Sequence, residues 1–161
     1  MRKITQRSSL ITQRSSLILP LLAGLLMASC ATPRLYYWGS TGETTRYEEL
    51  AYQNYDKQTP QSICALVCLY EDMVSHPGGT RKVVPPGIYA EYGYLLMQPS
   101  TAEYFAQYAT SRQRKAFASA DYAVLFSERG EAMLQKEMEL YPESAKFIGP
   151  LLKRLQERRS K

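Results

Sequence analysis

The chain has 161 residues, 45% hydrophobic and 11% aromatic, with 20 Lys+Arg against 15 Asp+Glu and a formal charge of +5. That charge does not describe a nucleic-acid binder. Arg2, Lys3, Arg7 and Arg14 all precede the first acid, and residues 30–161 hold 16 basic groups against 15 acidic ones, a near-neutral body without the footprint of phosphate recognition.

An apolar core from Leu17 to Cys30 follows those four cations and is too short to span a bilayer as a permanent helix, which is the layout of a secretory signal peptide. Its end, Met27-Ala28-Ser29-Cys30, resembles the lipobox of bacterial lipoproteins, where small residues fit the peptidase and the cysteine thiol is acylated before cleavage; Met27 stands where leucine is more usual. The resemblance implies that residues 1–29 are removed and that the acylated Cys30 holds the protein on a membrane without a spanning helix. A plain secretory signal that happens to end before a cysteine is the alternative. Ala31 follows where an aspartate would retain a lipoprotein in the inner membrane, so the same resemblance implies the periplasmic face of the outer membrane. The heptapeptide at residues 4–10 recurs identically at 11–17. Two heptads in a removable leader make no coiled coil.

Residues 30–43 read as a lipidated, extended tether, punctuated by Pro33, Gly39 and Gly42 and carrying the aromatic cluster Tyr36-Tyr37-Trp38. Trp38 is expected to pack as a lid on the first helices; the alternative is a membrane-interface or partner contact near the anchor. A single helical domain over 44–158 follows. Thr45 and Glu48 have capping-box spacing, and Tyr47, Leu50, Ala51 and Tyr55 recur at helical intervals as far as Gln58. Thr59-Pro60 opens a second helix, whose stripe of Ile63, Leu66, Val67, Tyr70, Met73 and Val74 predicts deep burial before His76-Pro77-Gly78-Gly79 stops it.

Pro86 is placed as the first-turn proline of a third helix with Tyr89, Tyr92, Leu95 and Leu96 on one face. Gly93 interrupts that helix at a cost of about 1 kcal/mol relative to alanine, which predicts close helix packing. After Pro99, Ser100 and Glu103 have the spacing of another capping box, ahead of Tyr104, Phe105, Tyr108 and Ala109. Helix is expected to continue, with a break at 111–114, to Arg129-Gly130, and a further helix to run from Glu131 to Leu140. Ser144 is placed as the cap of a last segment burying Phe147, Ile148, Leu151, Leu152 and Leu155, with Pro150 starting or kinking it.

No stretch alternates with period two, so the predicted class is all-α, antiparallel helical hairpins behind a signal peptide and tether. Tyr89, Tyr92, Gly93 and Leu96 reproduce the spacing of the first helix of a tetratricopeptide repeat. The 25 positions from Gly93 to Ala118 fall short of the roughly 34 of that repeat. An irregular tetratricopeptide-like stack with a shallow concave contact surface is therefore expected.

The inventory for chemistry is thin. Cys64 and Cys68, at i and i+4 on one helix, have Cβ atoms about 5–6 Å apart where a disulfide needs about 3.5–4.5 Å, so they are expected as core thiols. His76 is the sole histidine. With Cys64 it would be the one nucleophile–base pair for a thiol hydrolase, and a buried thiol is inert. Cys64, Cys68 and His76 do not close a zinc site, so no metal and no cofactor are expected. Glu91, between Tyr89 and Tyr92, is the carboxylate that could serve glycan cleavage in an aromatic groove; a partly exposed helix glutamate is the simpler reading.

Taken in order, Cys30, then Tyr36-Tyr37-Trp38-Gly39, then the run Pro85-Pro86-Gly87-Ile88-Tyr89-Ala90-Glu91-Tyr92-Gly93-Tyr94-Leu95, then Glu139-Leu140-Tyr141-Pro142-Glu143-Ser144, resemble a family of small bacterial lipoproteins defined as a domain of unknown function, DUF4810. The resemblance covers most of residues 30–155. It implies a non-catalytic accessory or scaffold of an outer-membrane export or assembly complex, partnered by a lipoprotein similar to the curli secretion channel, with Trp38, Tyr89, Glu91, Tyr92 and Tyr94 as the candidate partner surface. The chain departs from that pattern by a helical hairpin more, at about 102–129. A peptidoglycan- or glycan-acting module using Glu91 is the alternative function.

Overall fold

Seven α-helices and one 3-10 turn, with no strand, make up the described residues, as the missing period-two alternation predicts. The computed structural model describes residues 33–40, 45–118 and 121–159. Those from Arg34 onward belong to one compact unit. Cys30, the lipobox and the leader lie outside the described residues.

Helix α1 (Arg46–Lys57) begins where the capping box requires: Glu48 N–H donates to Thr45 Oγ1 at 3.2 Å, and Thr45 N–H donates back to Glu48 Oε2 at 3.0 Å. Gln58 in the left-handed conformation ends it, and Thr59-Pro60 at once opens α2 (Pro60–Ser75), with Ser62 N–H donating to Thr59 Oγ1. So short a connection makes α1 and α2 an antiparallel hairpin, closed by Ser62 Oγ donating to Asn54 Oδ1 at 3.2 Å. The expected burial of α2 holds: Leu66, Val67, Tyr70 and Met73 are all core, whereas α1 buries no residue and its Tyr55 is exposed.

Helix α3 (Ile88–Leu96) starts two residues beyond Pro86, not on it, because Gly87 takes the N-cap position at φ 88 with no side-chain cap of its own. Glu137 supplies the missing acceptor from a distant helix: Gly87 N–H donates to its Oε1 at 2.8 Å. Helix α4 (Pro99–Tyr108) does not use the expected Ser100–Glu103 box; Pro99 is its first residue behind Gln98, since its fixed φ suits that position. A single turn, α5 (Ser111–Arg114), is capped by Thr110 and Gln113.

Helix α6 (Tyr122–Leu140) runs unbroken through Gly130, which corrects the expected interruption at Arg129-Gly130. Glycine there is a packing device. A Cβ on Gly130 would lie 2.9 Å from Gly93 O, and one on Gly93 would lie 2.7 Å from Gly130 O, so α3 and α6 approach until backbone meets backbone. The pairs Gly87 with Glu137 and Gly93 with Gly130 make the two helices antiparallel. This is the most extensive helix–helix contact among the described residues. The pairing is not between sequence neighbours: α4 and α5 form an excursion between the two partners, with α4 packed mainly on α2. Phe105, Phe117, Tyr122 and Phe126 pin that excursion to α6 through ring centroids 5.1–5.6 Å apart.

The 3-10 turn Pro142–Ser144 leads into α7 (Ala145–Arg159). Ser144 belongs to that turn, and its buried hydroxyl finds no partner, so it does not act as the cap expected of it. Pro150 lies inside α7. Ile148, Leu152 and Leu155 pack inward with Leu134, whereas Phe147 points outward at 70% exposure, a correction to the expected apolar face. No helix among the described residues is long and apolar enough to cross a membrane.

Candidate functional site

A ladder of aromatic rings crosses α1, α2 and α3. Trp38 packs on Tyr47 at 5.1 Å between centroids, Tyr47 on Tyr70 at 6.2 Å, and Tyr70 on Tyr92 at 5.8 Å. Trp38 is half-buried against the core, and Tyr47 N–H donates to its carbonyl at 3.2 Å, so the lid reading holds for the packing of this ring. The ladder's hydroxyls converge on two carboxylates. Tyr47 donates to Glu91 Oε1 and Oε2 at 3.1 and 2.9 Å, and Tyr70 donates to Oε2 at 2.7 Å. Tyr92 donates to Glu71 Oε2 at 2.6 Å, while Arg129 pairs with the other Glu71 oxygen. Burial first, then the neighbouring glutamate, raises the hydroxyl pKa of Tyr47, Tyr70 and Tyr92 far above the ordinary value, so all three remain donors at neutral pH.

This geometry redistributes the candidate residues. Glu91 is an exposed carboxylate at the junction of three helices, with both oxygens engaged by tyrosyl hydroxyls. Tyr92 is removed from the candidate partner surface: it is 0% exposed, packed on Tyr70 and bonded to Glu71 at the α2–α3 interface. Tyr94 is exposed and takes no part in the ladder. Tyr89 is half-buried at another cluster, where Tyr141 lies within electrostatic reach of Tyr36, Tyr89 and Arg81 and has its pKa raised chiefly by burial. The segments at 36–38, 85–95 and 139–144 are thereby brought together.

Tyr47, Tyr70, Glu71 and Arg129 were not singled out by sequence reasoning. The available signal was a glutamate at position 71 directly after the buried Tyr70 on the apolar stripe of α2, since a carboxylate so placed needs a partner.

The other chemical candidates separate. Cys64 is buried and its S–H faces Tyr104 O at 3.5 Å; Cys68 is half-buried, its pKa pushed up to about 12 by burial, and both thiols are free. His76 caps the far end of α2, beside Asp72 at 3.2 Å. Twelve residues of helix put it about 18 Å along the axis from Cys64, so the two do not form a nucleophile–base pair. Among the described residues no three His, Cys, Asp or Glu side chains gather as a metal site. A recess of about 130 Å³ opens between Trp38, Thr45, Tyr47 and Glu48; of these, Tyr47 is the one that hydrogen-bonds Glu91. An apolar pocket of about 230 Å³ lies between Leu96, Met97, Ala102, Ala123 and Leu155, with Arg158 as its one titratable group.

No family model matches the chain, and neither curated proteins nor solved structures provide a match to it.

Proposed function

We propose that this chain is a lipid-anchored periplasmic interaction protein, held at the outer membrane by Cys30 and serving as an accessory of an export or assembly complex resembling curli-type secretion. The observation that carries the reading is the sequence Met27-Ala28-Ser29-Cys30 at the end of a short apolar run, with a compact helical unit beginning at Arg34. The nearness of Tyr141 to Tyr36 and Tyr89, one residue from each of three stretches that resemble DUF4810, supports it further. The test has two parts. Mass spectrometry of the envelope protein should find Cys30 as an acylated N-terminus, and Cys30→Ser should abolish that processing. Affinity capture from envelope membranes should then recover a channel-like lipoprotein; unchanged processing and fractionation of Cys30→Ser would overturn the reading.

A glycan-acting module is the second reading, favoured by a recess lined by Trp38 and by Tyr47, whose hydroxyl reaches Glu91. It ranks behind because a general acid must present a free carboxyl to the glycosidic oxygen, whereas both oxygens of Glu91 accept from tyrosines. Loss of peptidoglycan turnover in Glu91→Gln with the fold intact would reverse that order.

A further inference from the structure

Two stretches far apart in sequence lie side by side at one edge of the unit. Thr80 N–H donates to Arg34 O and Arg81 N–H donates to Leu35 O, both at 3.0 Å. Gly79, at φ +74, comes so close that a Cβ there would stand 2.5 Å from Leu35 O, and Lys82 is itself left-handed at φ 52. Such backbone persists in a non-glycine residue where its surroundings hold it. The edge presents Leu35 at 54% and Val83 at 47% exposure, flanked by the exposed cations Arg81 and Lys82. The Arg81 guanidinium covers the Tyr36 ring at 5.6 Å and donates to its hydroxyl at 2.9 Å, and Tyr36 meets Trp38 edge-on at 6.4 Å. Exposed aliphatics beside cations and amphipathic rings are the composition of groups that settle at a bilayer interface.

We infer that this edge is a membrane seat, resting on an anionic phospholipid surface with Leu35, Val83 and the aromatic pair at headgroup level and Arg81 and Lys82 against the phosphates. The occupant follows from chain length, in a step that rests on the lipid-anchor reading above. Cys30 precedes Arg34 by four residues, which at full extension reach no farther than about 14 Å; acyl chains on Cys30 therefore hold Arg34, at the start of this edge, within that reach of the bilayer. Each cation near an anionic surface then adds about fivefold to the seated population.

The experiment uses the protein isolated from envelopes and reconstituted on phosphatidylethanolamine/phosphatidylglycerol vesicles carrying a headgroup-depth quencher. Trp38, the single tryptophan, is the reporter, and the acyl mass on Cys30 is read from the same sample. Trp38 should be quenched, and Lys82→Glu combined with Val83→Ser should lower that quenching by about fivefold or more, with acyl mass and circular dichroism unchanged. Leu35→Ser provides a second variant on the other segment of the edge. An acylated protein whose Trp38 escapes quenching, variants quenched like the parent, or shielding that arises only on addition of a partner protein would each overturn the seat. Quenching without an acyl mass would overturn the anchor and leave the seat standing.

Discussion

Glu137 is 3% exposed, and its carboxylate caps α3 from the body of α6. Burial raises its pKa above 4.5 although the N–H groups of Gly87, Ala90 and Tyr89 pull it down, so desolvation outweighs the helix terminus. A carboxyl whose folded pKa is raised binds its proton sooner in the folded state; stability therefore rises as pH falls through that raised value toward 4.5. Glu137→Gln keeps an acceptor for Gly87 and removes the buried charge, so it should flatten this pH dependence. Glu137→Ala leaves the N–H unpaired and should be less stable than the glutamine variant by about 1–3 kcal/mol. Urea titrations at pH 4.5–7 check both. The tyrosines have a parallel effect at the alkaline end. The contribution of Tyr47, Tyr70 and Tyr92 is fully present below pH 10, their ordinary value, and is lost as pH climbs beyond it toward the raised folded values. Tyr92→Phe should make the alkaline fall in the unfolding midpoint shallower, even though it leaves Glu71 with Arg129 as its partner.

The α3–α6 contact is set by two glycines at the level of elements. Gly130→Ala would place a methyl 2.9 Å from a backbone carbonyl that cannot swing aside, and overpacking of that kind costs about 1–3 kcal/mol. Gly93→Ala should cost a similar amount, and the double variant less than the sum, because the same separation of the helices relieves both clashes. Thermal midpoints of the three variants measure this. Phe126→Ala, in the ring cluster that holds the excursion to α6, should cost about 3–5 kcal/mol. Local rules read from sequence worked where the deciding residues are neighbours: the Thr45–Glu48 box, the Thr59-Pro60 start and the apolar stripe of α2 are all present. They failed where a distant partner decides. Gly130 looked like a stop because its counterpart Gly93 lies on another helix, and Pro86 looked like a start because the cap of α3 comes from Glu137. The same limit hid the site: Glu91 was visible as a carboxylate between tyrosines, but Tyr47 and Tyr70, which engage it, lie 44 and 21 residues away.

The whole unit is an all-α body in which α2 meets α1, α3 and α4, and α6 meets α3, α4 and α7. Hairpin order along the chain describes α1–α2 but not α3, whose main partner is α6. A regular stack of adjacent repeats is therefore replaced by one long-range closure. Cys64 and Cys68, both free, add no crosslink, so a reductant should leave the thermal midpoint unchanged; a downward shift would reveal a bridge.

That closure has a cost while the chain folds. The glycine face of α3 is complete long before the helix that covers it in chain order, because a whole excursion lies between them. A chain cut short before residue 122 would thus leave that face bare, whereas one that reaches residue 140 carries everything needed to shut it.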